Sequence, residues 1–141
     1  MNMYHLYFED WEVKGEFTKE FVSLWDGWLG EESYKLDLVT ENDWNRFNEF
    51  IKSISQNYEI KLVNCNNEEL LDINNIQDTL SNYEESMNKD YSLFSKYILP
   101  DLNCVITEEW DYTYIIWHKN NGAVEVLSPL IEKAKLKHFV N

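Results

Sequence analysis

Glycine and proline are scarce: four glycines and two prolines stand in a chain of 141 residues. Gly15, Gly27, Gly30 and Gly122 are too dispersed to form a phosphate-cradling loop, and no G-x-S-x-G nucleophile elbow occurs. Arginine is nearly absent, with Arg46 alone. The only basic neighbourhood is Lys119, Lys133, Lys135 and Lys137, and no basic stripe is interleaved with aromatics. Direct nucleic-acid binding is therefore not expected. Cys65 and Cys104 lie far apart and match no zinc or redox spacing. They read as separate thiols in a reducing compartment, with a disulfide between them as the lesser alternative. His5, His118 and His138 are scattered and fit structural or surface roles. The run from Asp72 to Asp78 has oxygen ligands but not the spacing of a calcium loop. No metal site and no cofactor is expected. Residues 1–8 lack the basic start and apolar run of a secretory signal. No apolar stretch approaches the roughly 18 residues of a membrane helix. The chain reads as cytoplasmic, without a membrane partner.

Aromatic residues and acids are plentiful. Hydrophobic residues make up 44% and aromatics 16%, enough to build a core rather than a disordered acidic chain. The length suits one domain spanning 1–141. Twenty-six acids oppose twelve bases, a formal charge of −14. Residues 1–111 hold 24 of the acids and 8 of the bases, so the C-terminal 30 residues are slightly basic by contrast. Such a field repels nucleic acids and anionic membranes and attracts cationic proteins. The plainer reading, that the charge only maintains solubility, requires less of it.

Met3 to Phe8 reads as a strand. Phe17, Phe21, Leu24, Trp25, Trp28 and Leu29 fall at helical spacing, with Thr18 as a cap and Gly30 as a stop. Tyr34 to Val39 alternates like a second strand. Thr40 then caps a helix whose apolar stripe is Trp44, Phe47, Phe50, Ile51 and Ile54. Tyr58 to Val63 reads as a strand, and Asn64 to Asn75 as a loop enclosing a helical turn at Glu68–Leu71. A long helix is expected from Asp78 or Thr79 to Ile98, ended by Pro100. Val105 to Thr107 and Tyr112 to His118 read as strands. Asn120-Asn121-Gly122 suits a tight hairpin turn returning as Ala123–Leu127. Ser128 and Pro129 then suit the start of a last helix carrying Leu130, Ile131, Ala134 and Leu136. The expected class is α+β: an antiparallel or mixed sheet of about five or six strands with helices packed against it, a partly parallel sheet being the main alternative.

The unusual constellation joins acids to indoles. Trp11 lies between Asp10 and Glu12, Trp25 precedes Asp26, Trp44 follows Asp43, and Trp110 lies between Glu109 and Asp111, with Glu108 before them. Trp25 and Trp44 sit on helical stripes and belong in a core. Trp11 and Trp110 stand in acid-rich connections, where interface and structural roles are both open. Indoles supply desolvated contact area, accept cations over their faces and concentrate binding energy. Neighbouring carboxylates make charge-assisted bonds to Lys or Arg. Asp10, Trp11, Glu12, Glu108, Glu109, Trp110 and Asp111 are therefore the expected binding residues for a basic protein partner. Acids with Trp also serve carbohydrate enzymes, which need two carboxylates at a set separation. Adjacent Glu108 and Glu109 point to opposite faces of a strand, so a pair would need Asp10 or Glu12. No catalytic residue is expected.

The segment Trp110-Asp-Tyr-Thr-Tyr-Ile-Ile-Trp-His118, then Asn-Asn-Gly and Leu127-Ser-Pro-Leu-Ile-Glu-Lys-Ala134, resembles the immunity proteins of bacterial polymorphic-toxin and contact-dependent growth inhibition systems. So does the small, acidic, aromatic-rich, glycine-poor profile of the chain. The resemblance implies neutralisation of a cognate toxin, often a nuclease, and transfers no functional residue. The rival expectations are a phage-type nucleic-acid mimic, a small carbohydrate-active hydrolase and a structural subunit of a larger assembly. A cleft holding two carboxylates with a raised pKa would favour the hydrolase.

Overall fold

The computed structural model describes residues 3–81, 83–84, 94–119 and 121–140. Among them, seven antiparallel strands form one sheet in the order β5-β4-β6-β7-β8-β3-β9. These are β3 (Thr18–Ser23), β4 (Lys61–Asn64), β5 (Glu69–Asp72), β6 (Lys96–Leu99), β7 (Cys104–Glu109), β8 (Thr113–His118) and β9 (Lys137–Phe139). A short helical turn α1 (Tyr4–Tyr7) leads into a two-stranded ribbon, β1 (Phe8–Glu9) and β2 (Glu12–Val13). Helices α2 (Glu41–Asn57) and α3 (Asn121–Lys133) complete an α+β architecture.

The sheet is covered on both faces. On the inner face, Tyr97, Ile106, Tyr114, Ile116 and Val22 pack beneath the α2 stripe Trp44, Phe47, Phe50, Ile51 and Ile54, and beneath α3. On the outer face, Ile98 and Val105 pack beneath Tyr4, Tyr7, Phe8 and Phe17. Strands buried on both faces read as unbroken apolar runs. That explains why Ile115 and Ile116 are adjacent and both buried.

Helix α2 forms where the stripe predicts it. Thr40 and Asp43 complete a capping box, with Asp43 N–H donating to Thr40 Oγ1 at 3.3 Å and Thr40 N–H donating to Asp43 Oδ2 at 3.0 Å. Strands β4, β7 and β8 also fall at their expected places.

Six local expectations are overturned, by strand pairing in some places and by helical packing in others. Met3–Phe8 is not a strand: its centre is helical, so Tyr4 and Tyr7 both turn onto the outer face. No helix forms over Phe17–Leu29: Thr18–Ser23 is strand β3, whose Phe21 faces outward while Val22 faces the inner core. Tyr34–Val39 belongs to a 3₁₀ segment, Gly30–Leu38, and not to a strand. Leu36 packs on the core there and Leu38 is exposed, so the two leucines do not share a buried face. The turn expected at Glu68–Leu71 is strand β5, paired in register with β4.

The long helix expected up to Ile98 fails at both described ends. Ile76–Thr79 is a 3₁₀ turn, and Lys96–Leu99 is β6 in the middle of the sheet. Positions 82 and 85–93 lie outside the described residues. The final hairpin does not form either. Ala123–Leu127 is the first half of α3, with Ser128 and Pro129 inside that helix. Asn120 lies outside the described residues. Ala123, Val124, Leu127, Ile131 and Ala134 are the buried side, a helical spacing that extends through the segment read as strand and cap.

Candidate binding surfaces

The seven residues expected to bind a partner occupy three environments rather than one patch. Asp10 and Trp11 form the two-residue turn between β1 and β2, with Asp10 at φ 56°. The Tyr4 hydroxyl donates to the Asp10 carbonyl and pins this turn to the outer-face cluster. Trp11 remains 40% exposed, and Glu12 is exposed beside it.

Glu109 points to the same outer face. With Trp11, Glu12, Lys19, Lys96 and Trp117 it lines a concavity of about 370 Å³ between the ribbon and the sheet. Trp117 Nε1–H donates to Thr107 Oγ1 at 3.0 Å, and the Thr107 hydroxyl donates to Glu109 Oε2 at 2.7 Å. Burial pushes the Glu109 carboxyl above its ordinary value, while the Thr107 bond and the charges of Lys96 and Lys19 pull the other way. Lys19 Nζ stands 5.0 Å from the centroid of the Trp117 ring.

Glu108 lies inside the protein rather than on its surface. It is 1% exposed and faces the inner core. One of its oxygens accepts from Ser81 Oγ at 2.8 Å and from the Ser95 N–H at 2.9 Å. Strand alternation alone puts it on the opposite side from Glu109.

Trp110 and Asp111 occupy the tip of the β7–β8 hairpin. Asp111 and Tyr112 both take left-handed backbone, at φ 59° and 55°. The Ser23 hydroxyl holds the turn by donating to the Tyr112 carbonyl at 2.9 Å, and the Tyr112 ring packs edge-on against Trp44. Trp110 is thereby lifted to the surface, 44% exposed, with its indole edge-on to Phe94.

A groove of about 220 Å³ begins there and runs under the connection from β3 to α2. Its walls include Trp25, Trp28, Trp110, Asp111 and Phe139. Trp28 is 57% exposed, with its ring edge-on to Phe21 and Phe139. Exposed Asp26, Glu31, Glu32, Tyr34 and Asp37 belong to the same connection. Sequence reasoning missed Trp28 because it assigned that ring to the buried stripe of a helix that does not form. Trp44 is buried as expected, its Nε1–H donating to the Ser81 carbonyl at 3.0 Å, whereas Trp25 is only half-buried.

Each histidine faces a carboxylate. His5 lies 3.4 Å from Glu68. His118 on β8 and His138 on β9 flank the buried Glu20 of β3 at 2.5 and 2.6 Å. Among the described residues, no group of three or more His, Cys, Asp and Glu side chains could hold a metal ion. Cys65 and Cys104 form no disulfide, and burial pushes the Cys104 thiol up to about 12. No described helix is long and apolar enough to cross a membrane.

No family model, no curated protein and no solved structure matches this chain.

Proposed function

We propose that this chain is an immunity-type inhibitor that binds and neutralises a cognate basic bacterial toxin. The observation that carries the reading is one groove lined by Trp28, Trp110 and Asp111, with both indoles exposed and an acid-rich connection beside them. The formal charge of −14 steers a cationic partner to the encounter, and the indoles then set the dissociation rate. A nuclease is the natural toxin class, because a cleft that binds nucleic acid is itself basic. Inhibition follows by occlusion: carboxylates pair with the basic residues that would hold substrate, while the indoles exclude water around them. The binding surface lies at the Trp110 end of the sheet, and Glu108 supports it from within.

The test is capture of a partner from the native host at low salt, followed by co-expression of that partner with this chain. The expected result is a basic protein whose toxicity this chain suppresses. Trp28→Ala and Trp110→Ala are each expected to cost about 2 kcal/mol of affinity. Asp26→Lys combined with Glu31→Lys is expected to slow association about tenfold at low salt. Suppression that survives all of these substitutions would overturn the reading.

A further inference from the structure

The concavity on the outer face is separate from the Trp28–Trp110 groove and is unused by the inhibitor reading. Its volume of about 370 Å³ lies within the range of small-molecule sites, roughly 300–1,000 Å³. It is assembled from distant parts of the chain: the β1–β2 ribbon, β3, β6, β7 and β8. Four features describe what it can hold. Trp11 stands half-exposed in its wall. An ordered chain runs from the Trp117 indole N–H through the Thr107 hydroxyl to the Glu109 carboxyl. Lys19 and Lys96 bring two positive charges, Glu12 and Glu109 two negative ones, so the lining is formally neutral. Lys96 is only 6% exposed, and its charge acts on the neighbouring Glu109 carboxyl.

A ligand with net charge meets both signs here and gains little from either. A neutral ligand rich in hydroxyls suits the site better. Each hydroxyl both donates and accepts, so it can satisfy ammonium and carboxylate groups at once. An indole offers a flat apolar wall for the ring of such a ligand. We infer that this concavity is a binding site for a neutral saccharide, with one pyranose ring against Trp11 and its hydroxyls reaching Glu109 and Lys96.

The experiment is a titration followed through the side-chain indole N–H resonances in ¹H–¹⁵N NMR. The probes are glucose, galactose, N-acetylglucosamine and cellobiose, with inorganic phosphate and free lysine as charged comparators. The expected result is a saturable shift of the Trp11 and Trp117 resonances with at least one sugar, while those of Trp28 and Trp110 stay in place. Trp11→Ala is expected to weaken that binding about tenfold, equivalent to about 1.4 kcal/mol. Glu109→Gln is expected to weaken it as well. An unchanged Trp44 resonance in either variant shows that the fold is retained. The proposal is overturned if no sugar gives a saturable shift, if phosphate or lysine binds in preference, or if a folded Trp11→Ala binds sugar as the parent does. Because the Trp28–Trp110 groove and this concavity share no lining residue, failure here leaves the inhibitor reading standing, and the reverse holds.

Discussion

Glu108 and Glu109 are consecutive on β7 and face opposite sides of the sheet. Glu108 holds Ser81 and the Ser95 amide in the inner core, whereas Glu109 meets Thr107 at the outer concavity. The two carboxyls therefore have different duties. Glu108→Ala leaves buried donors unmatched and is expected to cost about 2–3 kcal/mol of stability. Glu109→Gln keeps the shape and removes a charge that burial disfavours, so its stability is expected to match or exceed the parent's near neutral pH. Urea denaturation of the two variants side by side checks both.

High pH should unfold the chain earlier than its exposed groups alone would predict. Burial raises the Cys104 thiol from an ordinary 9.0 to about 12, and raises the Tyr7, Tyr97 and Tyr114 hydroxyls as well. A raised folded value means that the unfolded chain releases protons which the folded chain keeps. The stabilising contribution is thus complete below the unfolded values and is lost as pH climbs through the folded ones. For Cys104 the loss spans about pH 9 to 12. Melting temperatures across that window should fall steadily, and Cys104→Ala should make the decline shallower.

Helix α3 ends in a Schellman arrangement without glycine. Lys135 N–H bonds the Glu132 carbonyl at 2.9 Å and Leu136 N–H bonds the Ile131 carbonyl at 3.1 Å, with Lys135 at φ 62°. The left-handed residue there carries an avoidable Cβ penalty. Lys135→Gly is expected to stabilise the protein by about 0.5–1 kcal/mol. A rise in the denaturation midpoint at unchanged slope is the signature.

Ser23 governs how Trp110 is presented. Its buried hydroxyl donates to the carbonyl of Tyr112, inside a turn with two consecutive left-handed residues. Ser23→Ala is expected to cost about 1 kcal/mol of stability. Under the inhibitor function proposed above, it is also expected to weaken partner binding, because Ser23 lines the same groove as Trp110. Trp110 fluorescence and the dissociation rate should shift together in this variant, and a change in stability alone would separate the turn from the interface.

The partition between sequence and tertiary structure follows from where the hydrophobic pattern has a single reading. Helix α2 was legible because one face is buried and the other wet, so the stripe from Trp44 to Ile54 and the Thr40 cap agree. The α+β class and strands β7 and β8 were legible for similar reasons of composition and β-branched content. Strands β3 and β6 were not. Both faces of the sheet are covered at those places, and a run such as Phe21-Val22 or Tyr97-Ile98-Leu99 then carries no alternation to recognise. Helix α3 was missed because Asn121-Gly122 and Ser128-Pro129 each carry turn chemistry, which the packing of Ala123, Val124 and Leu127 against the core overrides.

The acid–indole pairing at Trp11 and Trp110 was visible in the chain by itself, as were the charge imbalance and the opposed directions of Glu108 and Glu109. Only the tertiary structure separated Trp11 from Trp110, joined Trp28 to the latter and gathered Lys19, Lys96 and Trp117 around the former. Adjacency in a chain is a covalent fact, whereas a shared groove depends on which strands pair, and non-local hydrogen bonding and burial decide that.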